Sequence, residues 1–297
     1  MAVPSRADGL EPERGAPATL VPVAVPPRSR ARDLRAIVVV WRRELLRFAS
    51  DRMRIFTALL QPILYIFVLG TGLSALTGSS GVNLRTFIYP GALAMAVMFT
   101  AVFSAGSIVW DREFGFLREM LVAPVSRGAI VLGKCLGGAS VAVLQGLLVL
   151  VVAGLAGVPY SLPLLATMLG ELALLAFTLT AFGVMAAARV ETIQGFMGLT
   201  QVLLMPLFFT AGAMFPLANL PTWLMVVTRV NPLTYAIDPI RRAVFARLAL
   251  PPAVRDRYAP GITWGGYHVP TAVELVIVGA MGLVMLGVGV LEFQKTE

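Results

Sequence analysis

Apolar positions along this chain fall into two patterns. Six long runs, at approximately 55–75, 88–109, 129–156, 162–187, 193–215 and 271–291, are almost free of charge. Each can cross a hydrocarbon core of about 30 Å, which takes about 20 helical residues at about 1.5 Å apiece. The second pattern is periodic: Leu34, Ile37, Val38, Trp41, Leu45 and Phe48 recur at helical spacing, while Arg35, Arg42, Arg43 and Arg47 occupy other faces. That predicts a basic amphipathic helix over 33–54, running from Asp33 to Ser50. It can lie on lipid, anchored through Trp41, or touch a partner protein. Residues 1–32 carry six prolines among Ala, Val and Arg, which oppose a helix and offer little to pack, so a disordered tail is expected. Its stretch VPVAVPP is broken by prolines and does not make the apolar core of a cleaved export signal.

Composition fixes the class. With 58% hydrophobic and 13% charged residues and a mean hydropathy of +0.82, a water-soluble globule is excluded, and the chain reads as an all-α integral membrane protein. The net charge is +8 and 22 of the 24 basic residues are arginine, which raises nucleic-acid binding. Position argues against it: eleven of them precede Ile55, where an anionic leaflet attracts each by about 1 kcal/mol. Six spans put both termini on one side. That side carries sixteen Lys and Arg against seven in the opposite loops, so both termini are expected on the cytoplasmic face of the cell membrane. Six of the seven are arginines within 216–270, an awkward concentration for an outer loop. Lys134, just inside the third run, is expected to snorkel back to the cytoplasmic side. One cysteine, Cys135, and one histidine, His268, allow neither an intrachain disulfide nor a zinc site of the usual kind.

The loop between the second and third runs, DREFGFLREMLVAPVSRG, mixes both signs of charge: Asp111, Arg112, Glu113, Arg118, Glu119 and Arg127. Phe114, Leu117 and Leu121 fall at i, i+3 and i+7, which predicts a short helix ending at Pro124 with its charges toward an aqueous partner. Such a helix can transmit force; a merely solvated loop is the alternative. The next residues, GAIVLGKC, imitate a phosphate-binding loop. They lack the Ser or Thr that binds magnesium, and they open a span, so ATP is not expected here. Gly133 and Gly137 instead form a small-residue step for close helix packing. Glu171 is an acid about ten residues from either end of the fourth run, a position where ionisable groups are costly and often functional. It can pair with Gln145 or Gln201, line a polar conduit, relay protons, or sit protonated as a packing residue. Within 216–270, WLMVVTRV is too short to span and is bracketed by Pro221 and Asn231-Pro232. It reads either as a re-entrant hairpin buried against the spans or as a helix lying flat outside them. No triad, Cys/His pair or carboxylate pair suggests a catalytic centre.

Two stretches, DREFGFLREMLVAPVSRGAIVLGK at 111–134 and FFTAGAMFPLANLPTWLMVVTRVNPLTYAIDPIRRAVF at 208–245, resemble the membrane subunits of type-2 ABC exporters, in particular the daunorubicin-resistance-like permeases. The resemblance covers about 33–295 and implies a six-span domain over 55–295 behind an interface helix that carries Arg35, Trp41, Arg42, Arg43 and Arg47. It implies a coupling helix over 111–126, with Asp111, Arg112, Glu113, Leu117, Arg118, Glu119 and Pro124 facing a separate ATPase. It also implies a re-entrant hairpin through Pro216, Pro221, Trp223, Asn231, Pro232 and Tyr235. By the same resemblance, ATP and magnesium belong to the ATPase subunits, no cofactor belongs to this chain, and a second copy or a paralogue completes the permease. The Met- and Phe-rich fifth run suits a hydrophobic or amphipathic substrate, so Gln201, Phe208, Phe209 and Met214 join Glu171 as pathway candidates. The implied function is export of an amphipathic drug or lipid-like compound. Export of a glycan or lipid-linked saccharide is an alternative, as is an ATP-independent proton-coupled carrier using Glu171. The hydrophilic stretch after Phe245 matches nothing in the family pattern.

Overall fold

The computed structural model describes residues 29–77, 83–116, 120, 125–217 and 220–295; the expected tail over 1–28 and most of the loop after Phe116 lie outside them. Ser29 caps α1 (Arg30–Ser50), its hydroxyl accepting from the Arg32 amide, so this helix starts three residues before the expected Asp33. Pro62 interrupts the backbone bonding of α2 (Arg52–Leu64). A π-helical turn over Tyr65–Leu69 absorbs the break, and α3 (Gly70–Thr77) continues the rod. The chain then runs through α4 (Leu84–Glu113), α5 (Arg127–Val151), α6 (Leu162–Ala187) and α7 (Ile193–Phe209), each except α4 started by a Ser or Thr side chain and α4 by Asn83.

Among the described residues, five helical segments are long and apolar enough to cross a membrane: Ile55–Gly72, α4, α5, α6 and α11 (Thr271–Lys295). The expected fifth span is the shorter α7, whose 17 residues reach about 26 Å. It still runs the length of the bundle. Its Ile193 amide meets Glu113 beside α1, while Leu207 and Thr210 meet Asn231 at the opposite end.

α4 is the central rod, buried along most of its length and packed against α5, α6 and α7. α11 lies along α6, where the Thr178 hydroxyl donates to the Val278 carbonyl across the seam at 3.0 Å. At the α1 end, Arg127 donates to Gln294 and Arg189 pairs with Glu292, so α11 finishes beside the starts of α5 and α7. At the other end, α8 (Thr222–Val230) and α9 (Pro232–Ala246) form a helix–turn–helix, followed by α10 (Pro252–Tyr258) and a two-residue hairpin of β1 (Thr263–Trp264) with β2 (Tyr267–His268).

Candidate functional site

Two polar clusters sit at opposite ends of this apolar bundle. At the first, Val40, Glu44 and Phe48 are buried at i, i+4 and i+8 and turn α1 onto α5. The expected stripe is therefore only half right: Phe48 packs inward, but Leu34 and Val38 remain exposed, and α1 presents a second apolar face outward. Gly133 and Gly137 make the contact possible. A Cβ on Gly137 would lie 2.8 Å from the Glu44 Cβ, and one on Gly133 would lie 2.9 Å from that of Val40. The Trp41 indole donates to the Ser140 hydroxyl at 3.0 Å.

Charge closes the joint. Lys134 is buried and approaches Asp111 at 2.5 Å and Glu44 at 3.4 Å, and its ammonium also donates to Ser107. It does not snorkel outward, because two carboxylates hold it inside. Arg43 reaches the same Asp111 at 2.9 Å and Glu44 at 3.4 Å. Asp33 accepts from the Ser126 amide, fixing the front of α1 to the start of α5. Substituting Gly137 with Val is expected to cost about 1–3 kcal/mol through overpacking and to lift α1 from α5. Limited trypsinolysis at Arg42 and Arg43 reads this; unchanged protection would show that the approach is not tight.

The second cluster lies at the end of the bundle away from α1, among α6, α9 and α11. Arg242 pairs with Asp238 at 2.9 Å and with Glu274 at 2.6 Å, both carboxylates being buried. Arg241 is 1% exposed, donates to the Gly212 and Ala213 carbonyls at 2.7 and 3.2 Å, and lies 4.4 Å over the Phe87 ring. Burial pulls its guanidinium down to about 10, which leaves it charged at neutral pH. Gly212 holds φ +70, the left-handed turn that ends α7 and presents those carbonyls. Asn231 joins α8 to α9, donating to the Leu207 carbonyl at 2.6 Å and accepting from the Leu233 amide at 2.9 Å. The Tyr235 hydroxyl donates to the Arg229 carbonyl and accepts from the Trp264 indole. α9 is thereby buried among α4, α6 and α11, whereas α8 leaves Trp223, Val226 and Val230 exposed.

Residues 35–245 match the family described as ABC-2 type transporter. The chain belongs to that family. The chain is 28% identical to the putative transport permease ycf38 of Cyanophora paradoxa over 219 residues, covering 70% of this chain and 73% of that protein. It is 30% identical over 208 residues to Nodulation protein J of Rhizobium leguminosarum bv. trifolii, covering 69% of this chain and 79% of that one. This ABC-2 permease is thus a multi-pass membrane transport subunit, and membership implies an ABC ATPase partner.

Its expected site residues scatter more than the sequence suggested. Asp111, Arg112 and Glu113 are the last turn of α4, not the start of a separate coupling helix over 111–126; the chain turns at Phe114 and at Gly115, whose φ is +80. Asp111 is spent within the joint, Arg112 donates to the Ala187 and Val190 carbonyls, and Glu113 accepts from the Ile193 amide at the start of α7. Leu117, Arg118, Glu119 and Pro124 lie outside the described residues. On α1, Arg35, Arg42 and Arg47 are exposed.

Nor do the pathway candidates converge within one chain. Phe208 is buried edge-on to Tyr65, Met214 is half-buried beyond α7, and Gln201 and Phe209 point outward. Glu171 is buried in the field of Arg242 and Asp238. It pairs with neither expected amide: both Gln145 side-chain polar atoms lack a hydrogen-bond partner among the described residues, and Gln201 is exposed on α7. Pro216 follows the Gly212 turn, and Pro221 and Pro232 start α8 and α9. The residues 128–135 that imitate a phosphate loop are continuous helix within α5. Sequence reasoning missed Glu44 and the Asp238–Arg242–Glu274 group. The available signals were an acid on the packing face of α1 and an i, i+4 acid–arginine pair inside an otherwise apolar helix.

Proposed function

We propose that this permease is the membrane half of an ATP-driven exporter that moves an amphipathic, drug- or lipid-like compound out of the cell. Separate ATPase subunits hold ATP and magnesium, and a second permease copy or a paralogue completes the pathway. The observation that carries the reading is the joint of Arg43, Glu44, Asp111 and Lys134, which makes α1 and the ends of α4 and α5 one block. A push delivered at that block from the cytoplasm moves three helices together, which is what coupling to an ATPase requires. Arg35 and Arg42 stay outside the joint, free to meet that partner. The exposed face of α7, with Gln201 among Met197, Val202, Met205 and Phe209, suits the lining shared with a second permease.

Orientation with both termini in the cytoplasm gains support from the second cluster. Arg241 is held inside the fold by two carbonyls and Arg242 by two carboxylates, so two of the six arginines that looked awkward for an outer loop are structural and do not count against this orientation. Together with the passage of α7 from one end of the bundle to the other, this favours six crossings. The test is co-purification of the tagged chain with any ABC ATPase encoded beside it, followed by ATP turnover in lipid. A stable complex whose hydrolysis depends on the permease is expected; an ATPase indifferent to this chain would refute the reading.

A further inference from the structure

Beside the joint, a cavity of about 240 Å³ opens between α1, α4, α5 and α7. A second, of about 640 Å³, lies along the α1–α4 surface, and Arg47 and Trp110 line both. The walls of the inner cavity are greasy and adaptable: Phe48, Phe103, Phe196 and Met197, with Ser104 among them. Its volume falls below the range of about 300–1,000 Å³ typical of drug-sized pockets, which suits one acyl chain segment and not a two-chain lipid.

Charge selects the head. Glu44 faces the inner cavity and Asp111 the outer, but both carboxylates are held by Lys134 and Arg43. Arg47 is different: among the described residues its guanidinium has no hydrogen bond or ion pair, and it stands where the two cavities meet. Among the described residues, the three cations Arg43, Arg47 and Lys134 against the two acids leave one positive charge, on the side chain that reaches both spaces. A phosphate monoester or carboxylate gives the guanidinium fork a net anionic partner; a zwitterionic phosphocholine head carries its own cation beside its phosphate and gains less.

We infer that these joined cavities are an entry site for a single-chain amphipath with an anionic headgroup. The head pairs with Arg47 in the outer cavity, and the chain lies against Phe103, Phe196 and Met197 in the inner one. Only the identity of the occupant as cargo rests on the export reading; binding does not.

The test uses the full chain, delipidated, with oleoyl lysophosphatidate and oleoyl lysophosphatidylcholine as probes and native mass spectrometry of retained adducts as readout. The wild type should retain the phosphatidate about five-fold better, the discrimination a partly exposed charge pair supplies. Arg47→Gln should reduce that ratio to about one, chiefly by lowering retention of the phosphatidate. Ser104→Phe, which fills the inner cavity, should lower retention of both. Equal retention by the wild type overturns the proposal, as does a preference that survives Arg47→Gln. Undiminished retention in Ser104→Phe would mean adsorption at the surface and overturns it as well. With the ATPase added in proteoliposomes, fluorescent lysophosphatidate should cross on ATP addition. Retention without movement, while ATP turnover is normal, would mark a resident lipid and overturn the cargo assignment. Absence of permease-dependent turnover would defeat the export reading and leave the binding result standing.

Discussion

Lys134→Met is expected to be among the most damaging single substitutions in this permease. Lys134 is 3% exposed and compensates two buried acids, Asp111 and Glu44. Removing its charge leaves them facing each other with Arg43 alone, and breaking a buried ion group in this way costs about 3–5 kcal/mol. The readout is fluorescence-detected gel filtration after a heating series. The single variant should lose its monodisperse peak at a markedly lower temperature than the wild type. Neutralising the acids alongside it, as Lys134→Met with Asp111→Asn and Glu44→Gln, should restore much of the loss, because a neutral joint carries no unpaired charge. A triple variant as unstable as the single one would mean that the lysine acts through packing, not charge.

Arg242→Leu is the counterpart at the other end. Asp238 and Glu274 are 2% and 0% exposed and share this arginine. Without it two carboxylates oppose each other in the interior, again at about 3–5 kcal/mol. The expected consequence is local: α9 should loosen from α11 while the α1 joint stays intact. Hydrogen exchange should therefore rise over 232–246 and remain low over 37–48. Uniform loss of protection along the whole chain would refute the idea that the two clusters are independent. Adding Glu274→Gln should return part of the protection.

How far this was legible from sequence depends on what each feature needed. The long helices were plain because lipid demands continuous apolar runs, and their bounds came within a few residues; α5 stops at Val151, short of its run over 129–156, and α7 at Phe209, short of its run over 193–215, where Gly212 turns the chain. The Gly133–Gly137 step was visible as a packing motif, but its partner was not. Nothing in the local pattern says that the helix set against it is α1, 90 residues earlier for the Glu44–Lys134 contact. The charges of the 111–113 segment read as solvent-facing because helical periodicity does not see a cation arriving from another helix. The same blindness applied to Arg241 and Arg242, which looked like loop charge that violated the orientation rule and are held inside the fold, one by carbonyls and the other by two carboxylates. Motifs such as Ala211-Gly212 and Asn231-Pro232 were recognisable by resemblance, and the structure supplies their reason: a left-handed turn offering carbonyls to Arg241, and an amide side chain that bonds across to the end of α7.

The pairing of α1 with α5 also orders the birth of the protein. α1 leaves the ribosome first, yet every group that holds it, from Asp111 to Gly133, Lys134, Gly137 and Ser140, is translated later. Until α5 has been made, Glu44 has no lysine and α1 no glycine step to close on, and the exposed Leu34 and Val38 give the helix an apolar side that lipid can cover. The two greasy sides of α1 thus serve two moments: one for waiting in lipid, the other for closing onto a bundle that does not yet exist when the helix is made.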